Sequence, residues 1–323
     1  MRPLRHISSV AGADRPSPAA PRPQHEPQAL DPLDLVNLTP LVQLTSGHAE
    51  TVVGLIDGPV VTDHPNLSGA KVREIQGRQG GTCGSAESVA CVHGTFVAGI
   101  LSADRGSAAP SICPGCTLLV RPIFPETYTA DGPLPSATPE ELAAAVVDCV
   151  EAGAHVINLS AALTQTSSRG ERGLEEALSY CARRGVVVVA AAGNEGTVGS
   201  SAVTRHPWVI PVVACDLAGR PVAFSNLGNS IGRRGLRAPG DGVTSLGADG
   251  GHYAFGGTST AAPFVTGAVA LLRSEFPGAS AAELKLAVTQ AHTSRRASVV
   301  PPLLDAWAAY QLLATKHLSG SES

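Results

Sequence analysis

Short apolar runs recur along the chain and predict the strands of a buried sheet. The runs are five to seven residues long, a length typical of strands rather than helices. They lie at 51–56, 117–123, 155–159 and 186–190. Strands that are apolar at nearly every position are buried on both faces, as in parallel sheets. The pattern therefore predicts a sheet that is covered on both sides.

Between these runs, apolar residues recur at helical spacing. Leu142, Val146 and Val150 lie on one face of a helix that begins with a capping box at Thr138. Further helices are predicted around 174–181, after Ser280 and at 303–313. Because strands and helices alternate, the connections are right-handed crossovers and the strands are parallel. We therefore predict an α/β fold: a three-layer, doubly wound, mostly parallel sheet with helices on both faces.

The composition changes at both ends of this region. Residues 1–30 are rich in Pro, Ala, Arg and Gln and poor in large apolar side chains, which predicts a disordered leader. Leucines in 31–50 predict a short segment that docks on the main domain. We place the main domain at 51–293 and a C-terminal helix and tail at 294–323.

The overall composition is that of a globular protein with a large core. The chain has 323 residues, of which 43% are hydrophobic, and a formal net charge of -4. The mild acidity argues against a nucleic-acid partner, and no run approaches the roughly 20 apolar residues that a membrane span needs. Residues 1–30 lack the apolar centre of a secretory signal, so we expect a cytoplasmic protein.

The seven cysteines leave at least one without an intramolecular partner. Two pairs are close in sequence: Cys83 with Cys91, and Cys113 with Cys116. These four are free thiols, local disulfides or a zinc site; a reducing cytosol favours thiols, and the unlike spacings argue against zinc. The other three lie on apolar faces or strands, where cysteine usually behaves as a small hydrophobe: Cys149, Cys181 and Cys215.

A serine stands behind two glycines at the head of an apolar helical segment. The segment 256–263 reads G-G-T-S-T-A-A-P, and Pro263 fits the first turn of the helix. By itself, Ser259 is typical of a helix N-cap. A hydroxyl at a helix N-terminus is also well placed for reaction, because free N–H groups there can stabilise an oxyanion.

Three further polar residues have similar settings. Asp57 ends the first apolar run, His93 opens an apolar segment, and Asn194 follows the run at 186–190. Each alone is typical of a turn or a surface position. Because functional residues of open α/β sheets gather where strands end, the set predicts a nucleophile, a base, an orienting carboxylate and an amide donor in one site.

These motifs resemble those of the subtilisin-like serine peptidases. The chain has a strand ending in Asp57, then H-G-T-F-V-A-G from His93, A-A-G-N up to Asn194, and G-T-S-T-A-A-P around Ser259. The order Asp, His, Ser is that of subtilisin, and the resemblance spans roughly residues 50–290. It implies that Ser259 is the nucleophile, His93 the general base and then acid, and Asp57 the carboxylate that orients His93. Asn194 and the Ser259 N–H would form the oxyanion hole.

The resemblance also implies where a peptide substrate would bind. Segment 158–162 resembles the strand that pairs with substrate and forms one wall of the specificity pocket, through Ser160, Ala161 and Ala162. Ala192 and Gly193 would form the other wall. Ser160 could equally be a plain hydroxyl at a strand end. The family usually has Gly at Ala162, which implies a tighter floor.

Departures from the family pattern narrow the resemblance to one branch. Gly58 and Pro59 follow Asp57 in place of Thr-Gly or Ser-Gly, and Phe96 replaces a common second His. Asn66 stands where secreted relatives often carry a calcium-binding Asp, which weakens the case for the strong calcium site of the family. We assign no metal ligands and expect no cofactor, and a weak calcium site stays open. Segments 55–60, 113–116 and 121–124 resemble the PatA/PatG-type maturation proteases of ribosomal peptide natural products.

The resemblance implies a serine endopeptidase that acts on a precursor peptide. Two alternatives remain open at this point. One is a general degradative subtilase, and the other is a catalytically silent pseudoprotease that binds and presents a peptide.

Overall fold

A parallel sheet of seven strands forms the centre of the molecule. The computed structural model describes residues 31–75, 83–124, 137–160, 168–291 and 298–319. Its sheet strands are β1 (Val52–Asp57), β2 (Lys71–Glu74), β3 (Thr117–Pro122), β4 (Val156–Leu159), β5 (Val187–Ala191), β6 (Val209–Cys215) and β7 (Leu236–Pro239). Their order across the sheet is β2-β3-β1-β4-β5-β6-β7, and every pairing is parallel. A separate antiparallel hairpin joins β8 (Val243–Leu246) to β9 (His252–Phe255).

Helices cover both faces of the sheet, which confirms the predicted fold. The helices are α1 (Pro32–Leu35), α2 (Thr39–Leu44), α3 (Val89–Ser102), α4 (Pro139–Glu151), α5 (Ser168–Arg184), α6 (Ala202–Arg205), α7 (Asn229–Arg234), α8 (Thr258–Glu275), α9 (Ala281–Gln290) and α10 (Ala306–Ser319). Successive residues of β1 enter different cores: Leu55 belongs to the core that contains α3 and α8, and Ile56 belongs to the core that contains α4 and α5. The result is three layers with two apolar interfaces.

Strand β1, the third of seven across the sheet, marks the point where the chain changes direction. It pairs with β3 on one side and with β4 on the other. In open α/β sheets, sites form beyond the carboxyl ends of the strands at such a switch point. Asp57 is the last residue of β1 and Ser160 follows β4, the two strands that meet there.

Local signals set the ends of several helices as the sequence predicts. Capping boxes at Thr138 and Ser280 begin α4 and α9, with Glu141 and Glu283 completing them. Gly153, with φ 89°, follows α4 and supplies the left-handed backbone of a helix end.

The starts of α8 and α3 depend on local features that the sequence analysis did not identify. Helix α8 begins at Thr258, so Pro263 lies inside the helix and the prediction that it occupies the first turn is wrong. The two glycines, and not the proline, set the start. Helix α3 begins at Val89, about one turn before His93, because the Ser88 side chain accepts a hydrogen bond from the Cys91 N–H.

Terminal segments pack on the helical face that contains α8. Leu38 and Leu41, within the predicted docking segment, are buried in the core. Helix α10 packs against α9 and α2, and it begins later than predicted because the chain before it pairs with β7, where the Leu304 N–H donates to the Arg237 carbonyl. The predicted leader, 1–30, lies outside the described residues.

The cysteines adopt two states. Cys83 and Cys91 form a disulfide, so the preference for thiols at this pair is wrong; their Cα atoms are 5.5 Å apart, within bonding reach. The other five, including Cys113 and Cys116, are buried free thiols. Within the described ranges no group of three or more His, Cys, Asp or Glu side chains could hold a metal ion. Among the described residues, no helix combines the length and the hydrophobicity that a membrane span requires.

Candidate active site

Asp57, His93 and Ser259 meet beyond the carboxyl end of β1. Asp57 is the last residue of β1, His93 lies on α3, and Ser259 lies in the first turn of α8. His93 Nδ1 is 2.6 Å from Asp57 Oδ1, and His93 Nε2 is 2.9 Å from Ser259 Oγ. The structure therefore joins three residues that are remote in sequence into one hydrogen-bonded chain.

The partners of His93 define where its proton lies. A carboxylate can only accept, so Nδ1 donates to Asp57. In the neutral ring Nε2 is then the acceptor, and it takes a hydrogen bond from the Ser259 hydroxyl. This tautomer is the one in which a histidine can remove the serine proton.

Close packing of α3 against the chain after β1 brings His93 to Asp57. A Cβ at Gly58 would lie 2.0 Å from the Ala90 carbonyl oxygen, and a Cβ at Gly94 would lie 2.4 Å from the Gly58 carbonyl oxygen. Only glycine permits this approach. The glycine at 58, which the sequence marks as a departure from the family pattern, therefore has a packing role.

The Asp57 carboxylate is fully buried and is oriented from two sides. Its Oδ1 accepts hydrogen bonds from the Gly58 N–H, at 2.6 Å, and from His93. Its Oδ2 is buried without a hydrogen-bond partner among the described residues. The negative charge therefore acts mainly on the imidazole.

The environment of His93 favours its protonated form. Burial by itself lowers the pKa of His93, but the charge of Asp57 and the hydrogen bond to it outweigh that effect and raise the pKa above 6.5. The side chain of His93 remains 27% exposed, so a bound molecule can reach the ring.

The raised pKa predicts the pH dependence of activity. His93 must be neutral to accept the Ser259 proton, so activity should fall as pH decreases through the pKa of His93. We expect the midpoint of kcat/KM against pH to lie above 6.5. The measurement is hydrolysis of a peptide substrate across the neutral pH range. A midpoint at or below 6.5 would contradict the proposed influence of Asp57.

Asn194 is oriented by Thr258, a residue that sequence reasoning missed. Asn194 Oδ1 accepts hydrogen bonds from the Thr258 N–H, at 2.9 Å, and from the Thr258 hydroxyl, at 3.0 Å. The Gly193 N–H in turn donates to the Thr258 hydroxyl oxygen at 3.1 Å. Because the amide oxygen of Asn194 already accepts hydrogen bonds from Thr258, its Nδ2 group is the end that can donate to an oxyanion beside Ser259. The place of Thr258 next to Ser259 in the motif was the available signal.

A glycine keeps open the space between the two expected oxyanion donors. A Cβ at Gly257 would lie 3.5 Å from Asn194 Nδ2, 3.8 Å from the Ser259 nitrogen and 3.3 Å from Ser259 Oγ. The φ of Gly257 is 154°, a conformation that other residues rarely adopt. Both donors therefore converge on a space beside the hydroxyl, where an oxyanion would form.

Removing the Asn194 amide should slow the reaction without abolishing it. For Asn194→Ala we expect kcat to fall by about 10²–10³, the range found for the corresponding donor in subtilisin, with KM little changed. The interaction forms only as charge develops, so it acts on kcat. Asn229→Ala, at an exposed asparagine of α7, is the matched control and should match the parent. An unchanged kcat in Asn194→Ala would show that Asn194 does not donate to the oxyanion.

The predicted substrate-binding residues are described in part. Ser160 follows β4, and Ala192 and Gly193 follow the neighbouring strand β5, so these three lie at adjacent strand ends. Ala161 and Ala162 lie outside the described residues.

Asn226 is another residue that the sequence analysis did not identify. It stabilises the loop after Asn194, because its Oδ1 accepts hydrogen bonds from the Glu195 and Thr197 N–H groups.

A hydroxyl, an imidazole and a buried carboxylate in one hydrogen-bonded chain, at the edge where parallel strands end, are the features of a serine hydrolase. The chain belongs to the subtilase family, whose model matches residues 48–305.

Curated relatives and solved structures agree with this family. The chain is 32% identical over 248 residues to a thermophilic serine proteinase of Bacillus sp. (strain AK1), covering 76% of this chain and 57% of that protein. It is 30% identical over 245 residues to subtilisin DY of Bacillus licheniformis, covering 73% of this chain and 81% of that protein. The chain thus spans little more than half the length of the first of these relatives.

Among solved structures, the chain resembles maturation proteases. A mutant of the PatA protease domain is similar with a TM-score of 0.74 and 30% identity, covering 84% of this chain and 97% of that chain. The prenylagaramide maturation protease PagA is similar with a TM-score of 0.73 and 28% identity, covering 85% and 98%. The resemblance predicted from short sequence motifs is confirmed.

Proposed function

We propose that this chain is a serine endopeptidase that cleaves a precursor peptide during the maturation of a ribosomal peptide natural product. The peptidase domain would span 51–293, preceded by the docking segment 31–50 and followed by the C-terminal helix and tail, 294–323. The observation that carries the proposal is the 2.9 Å contact between His93 Nε2 and Ser259 Oγ, backed by a buried Asp57.

Acylation would begin with attack of Ser259 Oγ on the carbonyl carbon of the peptide bond. His93 takes the serine proton as general base, and Asp57 stabilises the resulting imidazolium. The negative oxygen of the tetrahedral intermediate lies between Asn194 Nδ2 and the Ser259 N–H. His93 then gives its proton to the leaving amine, the C–N bond breaks, and an acyl-enzyme on Ser259 remains.

Deacylation would use the same groups with water in place of the amine. His93 removes a proton from water, which attacks the ester carbon of the acyl-enzyme. The tetrahedral intermediate again places its oxyanion between the two donors. Collapse returns the proton to Ser259 Oγ and releases the new carboxyl end of the peptide. No metal or cofactor is needed for either half.

The substrate would lie as an extended strand between two strand ends. We propose that Ser160, Ala161 and Ala162 form one wall of the specificity pocket and that Ala192 and Gly193 form the other. The adjacency of β4 and β5 supports this arrangement. Backbone pairing would supply affinity. The small side chains would leave the pocket uncharged, with a floor tighter than a glycine at Ala162 would give.

The choice of precursor processing over general degradation rests on the structural relatives. PatA and PagA are named as maturation proteases, and this chain covers nearly the whole of the solved domains. A degradative subtilase is the competing function, because subtilisin DY is about as similar in sequence.

Substrate profiling separates these functions. The purified protein is incubated with casein and with a mixed library of synthetic peptides, and products are identified by mass spectrometry, with Ser259→Ala as the blank. Precursor processing predicts cleavage of few peptides, at one shared sequence, with casein intact. Extensive digestion of casein would contradict it, and an absence of all cleavage would favour the silent peptide-binding alternative.

A further inference from the structure

A buried link of side-chain hydrogen bonds connects the sheet to α8. The Thr266 hydroxyl donates to Asn158 Oδ1 at 2.8 Å, and Asn158 Nδ2 donates to Ser160 Oγ at 2.7 Å. Thr266 and Asn158 are both fully buried, and Ser160 is nearly so. None of the hydrogen bonds of the Asp57–His93–Ser259 chain involves these three residues.

The link joins the two elements that would hold substrate and nucleophile. Asn158 lies in β4, where it pairs with Leu55 of β1 and Val189 of β5 at the centre of the sheet. Thr266 lies seven residues after Ser259, which is two helical turns along the same face of α8. One end of the link is therefore on the helix of the nucleophile, and the other is at Ser160.

The hydrogen bonds of the buried Asn158 amide constrain the distance between α8 and β4. Around the link α8 is apolar, with Val265 and Val269 buried on either side of Thr266 in sequence. A buried amide without hydrogen-bond partners is costly, and no solvent is available to replace a lost partner. Asn158 can satisfy both ends of its amide only when α8 and the end of β4 keep their present separation.

We propose that Thr266 is a positioning residue for this enzyme. Through Asn158 it fixes Ser160 and the end of β4 relative to Ser259, so that a peptide paired along that strand presents its carbonyl carbon to the hydroxyl. The proposal rests on the proposed function, because it assigns this strand end to the substrate. Thr266 would then help to align an extended substrate although it does not touch the reacting atoms.

The test compares an extended substrate with a small reagent. Thr266→Val keeps the shape of the side chain but removes the hydroxyl donor. We expect kcat/KM for an extended peptide amide to fall about tenfold, because small misplacements of bound substrate are costly. Ser259 should still be labelled by a small alkyl fluorophosphonate at a rate within about twofold of the parent. This reagent has no peptide chain that must be aligned, so a shift of the strand end affects it little. Thr266→Ser restores the hydroxyl and should recover most of the peptide activity.

A matched variant separates positioning from general loss of packing. Val269→Ala removes buried apolar atoms from the same helix, and its thermal stability is measured beside that of Thr266→Val. Positioning predicts that Val269→Ala keeps the parent ratio of peptide hydrolysis to labelling. Equal loss of both readouts in Thr266→Val, no loss in either, or the same altered ratio in Val269→Ala would overturn the proposal. A parent protein that does not label at all would instead overturn the proposed function, and this inference with it.

Discussion

Ser259→Ala is expected to reduce peptide hydrolysis to background. The alanine cannot form the acyl-enzyme, and His93 Nε2 loses the hydroxyl that lies 2.9 Å away. We expect kcat to fall about 10⁶-fold, the scale found when the serine or the histidine is removed from subtilisin. His93→Ala should have an effect of the same size, because the two residues act as a unit. The measurement is the turnover of a peptide substrate with purified, folded protein.

The control for this loss is a serine outside the site. Ser68→Ala removes an exposed hydroxyl that bonds to Asp104, and it should retain the parent activity. The double variant Ser259→Ala with His93→Ala should be no worse than either single variant. Comparable turnover in Ser259→Ala and the parent would end the assignment of Ser259 as nucleophile.

Asp57→Asn should have the second largest effect. The amide removes the buried negative charge that stabilises the imidazolium of His93, while burial still disfavours that cation. We expect kcat to fall about 10⁴-fold, as for loss of the corresponding charge in other serine proteases. The residual activity should also have a different pH profile, with its midpoint lowered relative to the parent, because the group that raises the pKa of His93 is gone.

Two readouts make this prediction specific to the charge. Asp63→Asn changes an exposed carboxylate in the chain that follows β1, and both its rate and its pH midpoint should match the parent. A large loss of activity in Asp57→Asn with an unchanged midpoint would show that Asp57 acts through packing alone.

The grouping of Asp57, His93 and Ser259 could be predicted from the sequence because a local sequence pattern marks each of them. Asp57 ends one strongly apolar strand and Asn194 follows another, and the carboxyl ends of parallel strands meet at one edge. His93 and Ser259 lie in glycine-bearing motifs whose spacing is specific. The order of these motifs, more than any one of them, indicated the family.

The features that the sequence missed depend on contacts between distant segments. The edge strand β2 has an alternating exposed pattern too short to stand out, and it forms by pairing with β3. Thr266 looks like one more residue of an apolar helix, and only the packing of α8 on β4 places it beside Asn158. The disulfide between Cys83 and Cys91 likewise depends on where α3 begins.

Covalent labelling of the native protein tests the central claim most directly. The protein is treated with a fluorophosphonate, digested, and analysed by mass spectrometry for the position of the adduct. Activation of a serine by the imidazole and the buried carboxylate predicts one adduct, on Ser259, that forms faster as pH rises and is lost in His93→Ala. A folded protein that carries no adduct on Ser259, or that labels it equally in His93→Ala, would contradict that claim.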